Sequence, residues 1–162
     1  VASSARGVHN RRWRTQMIKR IPDCSLVLSE PEPFMFDNPP NDANNPNWTS
    51  KNWLTSKFHF SFAGYRNSQN NNFGVLRVLN DDLIQPSRGF GEHPHYNMEI
   101  CTYVLEGSLT HQDSTGSDET IGRGAVQFMT AGCGVTHSEH NLDSTCPLRL
   151  IQIWITPRER GL

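Results

Sequence analysis

The chain has 162 residues, with 15 Lys and Arg against 16 Asp and Glu. That length suits one domain with a proper core, and a formal net charge of -1 with pI near 6.7 gives no pull toward nucleic acid or an anionic membrane. No apolar run approaches the roughly 20 residues that span a bilayer, so the protein is expected to be soluble and not transmembrane.

The first 22 residues form a basic arm: Arg6, Arg11, Arg12, Arg14, Lys19 and Arg20 occur without one acidic residue before Asp23. Such a start resembles the edge of an organellar transit peptide, plastid or mitochondrial, or a plain basic arm on a cytoplasmic or nuclear protein. Residues 23–162 are expected to form the folded domain. The cysteines Cys24, Cys101, Cys133 and Cys146 are scattered, with no C-x-x-C pair, which fits an intracellular, reducing compartment. Cys133 reads as a small buried hydrophobe rather than a reactive thiol.

Ser25 to Leu28 reads as a first short strand after the Pro22-Asp23 punctuation. Residues 31–48 then form a Pro/Asn-rich loop, since proline removes backbone donors and asparagine favours turns. Its apolar residues Phe34, Met35, Phe36 and Trp48 are expected to fold back on the domain rather than reach a neighbour. Phe58 to Ala63 alternates aromatic with small or polar residues and reads as a half-buried strand, with His59 on its polar face. Further strands are expected at Val75 to Leu79, stopping before Asn80-Asp81-Asp82, and at Met98 to Leu105, Gly107 to Gln112, Ala125 to Thr130 and Leu148 to Thr156. Short strands separated by glycine-rich turns, with no helical period, predict an all-β sandwich or barrel.

Two histidine clusters stand out. In an extended strand alternate side chains share a face, so His93 pairs with His95 and His137 with Glu139. If the pairs converge, three imidazoles and a carboxylate surround a first-row divalent ion and leave positions open for water, oxygen or substrate. The competing reading makes the histidines hydrogen-bonded core residues; two flanking pairs in glycine-rich settings favour the metal.

From residue 54 onward the sequence resembles the pirin family of the cupin superfamily. The resemblance rests on Phe60-Ser61-Phe62-Ala63, Leu76 to Asp82, Gly89-Phe90-Gly91 with His93-Pro94-His95, Met98-Glu99-Ile100, Thr102 to Gly107, His111 with Asp113-Ser114 and Gly116, His137-Ser138-Glu139 and Gln152 to Ile155. It implies a single cupin jelly-roll β-barrel with an irregular N-terminal extension, holding one divalent metal, most often iron, on His93, His95, His137 and Glu139. It also implies a possible non-haem iron dioxygenase acting on flavonol-type, quercetin-like substrates, with Glu139 as the catalytic proton acceptor. Phe90, Met98, Val126, Phe128 and Met129 are then candidates for the pocket wall. Cupins at large often draw their glutamate from the first motif, which makes Glu99 the rival ligand or an outer residue orienting a ligand imidazole.

The family alternative is a non-catalytic, metal-bearing or redox-sensing interaction subunit of a larger assembly, docking through the basic arm and loop 31–48. Pirins generally carry two barrels, and this length suits one, so a natural single-barrel form or a partial chain is expected, with apolar surface to be covered. Tyr96-Asn97 stands where the family often has Arg-Asp, which changes charge at the mouth of the site.

Overall fold

The structure is a computed structural model that describes residues 20–40, 48 and 53–162. Most of the basic arm, and residues 41–47 of the Pro/Asn-rich loop, lie outside the described residues. Ten strands among the described residues carry the fold: β1 (Val27–Ser29), β2 (Leu54–Phe58), β3 (Leu76–Ile84), β4 (Arg88–His95), β5 (Glu99–Glu106), β6 (Ser108–Asp113), β7 (Asp118–Gly122), β8 (Val126–Thr130), β9 (Val135–Asn141) and β10 (Leu148–Ile155). They form a six-stranded sheet in the order β1-β2-β3-β10-β5-β8 and a four-stranded sheet in the order β4-β9-β6-β7. All described pairings are antiparallel. This is the all-β cupin jelly roll that the strand spacing and the resemblance predict.

The inward rows explain where the site sits. Period-two alternation sends Leu54, Ser56 and Phe58 of β2, Val78, Asn80, Asp82 and Ile84 of β3, and Ile100, Thr102 and Val104 of β5 to buried positions. In β10 the buried row is Leu148, Leu150 and Gln152, and in β9 it is Val135, His137, Glu139 and Asn141. Many rows place polar residues between apolar ones. The register aligns them across the large sheet, with Ser56 opposite Asp82, Asn80 opposite Gln152 and Gln152 opposite Thr102. The interior is therefore two apolar plugs around a polar belt. Trp53, Leu54, Ile84, Val104, Leu109, Leu148 and Leu150 form one plug, and Ile100, Met129, Ala131 and Val135 the other. Each fully buried aliphatic side chain contributes about 2 kcal/mol, so the plugs can carry the cost of a desolvated polar belt between them.

Several expectations change. Strand β2 ends at Phe58, and Phe58 to Ala63 is not a strand: Phe62 instead packs edge-on against Phe58 and Trp154, so the aromatic alternation reports cavity packing. His59 donates from Nδ1 to the Leu79 carbonyl at 2.8 Å, a structural role. Strand β3 runs straight through Asn80-Asp81-Asp82 because Asn80 and Asp82 belong to the inner belt, while Asp81 faces out and receives a bidentate pair from Arg149 at 2.9 and 2.6 Å. Cys133 is exposed, and all four cysteines are free.

The loop after β1 does fold back, through Phe36, Asn38 and half-buried Trp48. A 3-10 turn over Pro33–Phe36 leaves Phe34 and Met35 largely exposed and inserts Phe36 edge-on against Trp53 and Phe90. Asn38 then acts as a surrogate strand: its amide donates to the Gly89 carbonyl and its oxygen accepts from the Gly89 amide, both at 2.9 Å. Gly89 has no room for a side chain, since a Cβ there would lie 2.4 Å from the Glu139 carbonyl. No helix among the described residues is long and apolar enough to cross a membrane.

Candidate metal centre

Strands β4 and β9 are neighbours, with His93 directly opposite His137. Between Phe90 and His93 the register slips by one residue, a bulge at Gly91-Glu92 of the kind that re-aims side chains. The outcome is convergence: the ring centroids of His93, His95 and His137 lie 4.8, 4.4 and 4.8 Å apart pairwise. One ligand nitrogen from each falls within 4.8 Å of the others.

The protonation of these rings suits a cation. His93 Nδ1 lies 2.8 Å from the Gly91 carbonyl, which can only accept, so Nδ1 carries a proton and Nε2 is the nitrogen left to face a cation. Burial, reinforced by the neighbouring His93, holds His95 down at about 4. Burial and the surrounding imidazoles hold His137 at about 3. Both rings are thus neutral near pH 7. His137 Nε2 is buried with no hydrogen-bond partner, an uncommon debt for a polar atom that a metal ion would settle.

Glu139 is buried beside them, but it belongs to a second convergent group, with His111 and His137. Gln152 Nε2 donates to both of its oxygens, at 3.2 and 3.1 Å, and the Thr102 hydroxyl lies 3.2 Å from Oε1. Burial raises its pKa against the opposing pull of His93 and these hydrogen bonds. Nearby, burial lifts Asp82 to about 7 despite its hydrogen bond from Ser56, with the charges of Glu139 and Asp81 adding to the rise.

A cavity of about 240 Å³ opens on this cluster, a little below the usual size range of organic-ligand pockets. His93, His95, Glu139, Gln152, Asn80 and Asp82 line its polar side. Phe36, Phe58, Phe62, Phe90 and Trp154 line much of its apolar side, with Trp154 edge-on to His95 at 4.7 Å. Of the five wall residues expected from sequence, Phe90 is in place. Val126 and Phe128 are 56% and 63% exposed on the outer face of β8, while Met129 is sealed in the second plug with Met98 against it.

Glu99 is not brought beside the three imidazoles. It lies three positions from inward Thr102 on β5, hence on the opposite face, and accepts a 2.7 Å hydrogen bond from Thr130. The left-handed Asn97 (φ 50°) turns the chain between β4 and β5, so strand parity is not carried across.

A family model described as Pirin matches residues 42–155. The chain belongs to the pirin family. Relatives of this pirin include a protein of Escherichia coli K12 named quercetin 2,3-dioxygenase, 50% identical over 120 residues that cover 74% of this chain and 52% of the relative. A pirin-like protein of Caulobacter vibrioides is 50% identical over 67% of this chain and 47% of its own length. The crystal structure of the bacterial pirin YhhW from Escherichia coli in complex with nickel(II) superposes with a TM-score of 0.66 at 43% identity, covering 84% of this chain and 55% of that one. The chain thus spans about half the length of the curated relatives it matches.

Among the residues around this cluster, Gln152 and Thr102, which hydrogen-bond Glu139, and Asp82 carry no role in the sequence reading. His111 and Asp113 enter only through the resemblance, without a role. The spacing His111-x-Asp113, which puts both on one face of β6, is the signal that could have found the last pair.

Proposed function

We propose that this pirin barrel holds one divalent first-row metal, iron in the working protein, on His93, His95, His137 and Glu139. We further propose that it admits a small flat aromatic substrate of the flavonol type for dioxygenation. The observation that carries the reading is the convergence of three imidazoles, two of them lining an aromatic cavity and the third, His137, with an unpartnered buried Nε2. The residues fit the group: nitrogen donors with one carboxylate suit iron, nickel, copper or zinc.

When bound, the ion supplies Lewis acidity and a redox-capable centre for oxygen chemistry. The chain supplies the remainder. Phe36, Phe58, Phe62, Phe90 and Trp154 exclude water and stack or edge against a planar ring. Glu139 accepts the proton of a substrate hydroxyl at its carboxylate, and Gln152 steadies the charge that forms there. Asp82, poised near neutrality, is a second proton acceptor within the same cavity.

A second reading makes the barrel a metal-bearing interaction subunit. It is favoured by exposed Tyr103, Val126 and Phe128, which the β5–β8 register places side by side on the outer face.

The deciding experiment loads metal-free protein with iron(II) anaerobically, measures bound metal, then follows oxygen uptake with quercetin. About one iron per chain with quercetin-dependent uptake supports the enzyme. Bound iron without uptake overturns dioxygenation and favours the subunit, and failure to retain any divalent metal overturns the site.

A further inference from the structure

Behind His137, on the side away from the cavity, a second buried imidazole and a carboxylate form a line. His111 Nδ1 lies 3.3 Å from His137 Nδ1, and His111 Nε2 lies 3.0 Å from Asp113 Oδ2. Both imidazoles are almost fully buried, His111 at 2% exposure and His137 at 1%. The topology enforces the line, because Asp113 is the register partner of His137 and His111 that of Glu139 between β6 and β9.

Two imidazole nitrogens in hydrogen-bond contact must share one proton, and the far end decides which ring carries it. Asp113 Oδ1 already accepts from the Thr115 amide, the Thr115 hydroxyl and the Ser117 amide, at 2.8, 2.6 and 3.2 Å. An ionised carboxylate held in this way can only accept at Oδ2 as well. His111 therefore donates from Nε2, which leaves a lone pair on its Nδ1. His137 then donates from its own Nδ1, and its lone pair falls on Nε2, the unpartnered atom facing His93 and His95. The opposite arrangement would set the His111 Nε2 lone pair against a carboxylate and put a proton where the ion should bind.

We infer that Asp113 and His111 are positioning residues that fix His137 as the Nδ1–H tautomer, so that the metal-free barrel presents a preformed lone pair at His137 Nε2. The inference deepens the metal reading above and rests on it. It assigns the second convergent group, His111 with His137 and Glu139, to ligand orientation rather than to a second metal. Carboxylates or carbonyls behind ligand imidazoles usually act directly, as Gly91 does for His93; here the carboxylate acts through an intervening ring.

The test begins with uniformly nitrogen-15-labelled, metal-free wild type near neutral pH, whose long-range proton–nitrogen correlations report the protonated nitrogen of each ring. The expected pattern is His137 protonated at Nδ1 and His111 at Nε2. His137 protonated at Nε2, or His111 protonated at both nitrogens, overturns the inference without any variant having to fold. Asp113→Asn supplies the reversal. Its oxygen stays on the three donors from Thr115 and Ser117, so its amide faces His111 Nε2 and turns that nitrogen into an acceptor. Both tautomers should then swap, and nickel(II) affinity by titration calorimetry should fall about 10- to 100-fold. Unchanged tautomers and unchanged nickel affinity in a folded Asp113→Asn overturn the relay while leaving the metal site standing. A wild type that binds no nickel overturns the metal site, while its tautomers still decide the relay.

Discussion

Asp82→Asn offers a direct measure of what the polar belt costs. Asp82 is 3% exposed and its pKa stands at about 7 instead of 3.8, chiefly because burial penalises the charged form. In the unfolded chain the same carboxyl ionises near its ordinary value. Between the two the native state holds a proton that the unfolded state has lost, so stability falls as pH rises through this window. At about 1.4 kcal/mol per pH unit of displacement, the full penalty is about 4 kcal/mol, reached above the native value and absent below the unfolded one. Asparagine keeps the acceptor that Ser56 uses and cannot ionise. The stability of the variant minus that of metal-free wild type should thus climb with pH, from near zero at about pH 4 to about 3–4 kcal/mol at about pH 8. Urea unfolding followed by tryptophan fluorescence measures both proteins, and taking the difference cancels titrations they share. A difference that stays flat across the range would refute the assignment of a proton to Asp82.

The histidines have the opposite sign. His95 and His137, held at about 4 and about 3, stay neutral while unfolded histidine takes up protons near 6.5, so metal-free protein should lose stability as pH falls from about 6.5 to about 4, and His95→Gln should flatten that acid limb in the same urea assay. His137→Ala should strip the metal, read as elemental content after gel filtration; full retention would count against the proposed ligands. Glu139→Gln should abolish quercetin-dependent oxygen uptake, whereas Glu99→Gln, on the outer face, should leave both metal content and uptake within about twofold. Phe36→Ala should cost about 2 kcal/mol and raise KM more than it lowers kcat, because the ring closes the cavity wall beside His93.

The fold was legible because jelly-roll strands are short and the turns between them are chemically loud. Gly116, with φ 96°, and Gly124, with φ 85°, sit in the turns after β6 and β7. What misled was the inner belt. Asn80-Asp81-Asp82 has turn composition, yet it is strand because two of its three side chains face a polar interior that composition rules place outside. The same inversion operates at β8, where Val126 and Phe128 look like wall and lie outdoors, opposite Tyr103 and Cys101. Within an alternating strand, hydropathy reveals that two faces exist; here the inner face is the mixed one, so it does not reveal which is inside.

The three imidazoles were legible for a different reason: the spacing of His93 with His95 is local, and His137 stands across a strand pair whose register closes the triangle. Local parity stops being informative at the Gly91-Glu92 bulge and at left-handed Asn97, and those two irregularities separate Glu99 from Glu139 in space. Carried straight along the chain, parity would set Glu99 beside His93; the turn at Asn97 breaks the count and sends Glu99 to Thr130. Glu139 needs no such count, because it is two residues from His137 on an unbroken β9 and must share its face. A site assembled across strands is therefore readable from sequence as far as each unbroken strand extends. The residues that tune it, Gln152, Thr102, His111 and Asp113, come from strands β10, β5 and β6, and only the register of the folded sheets brings them to it.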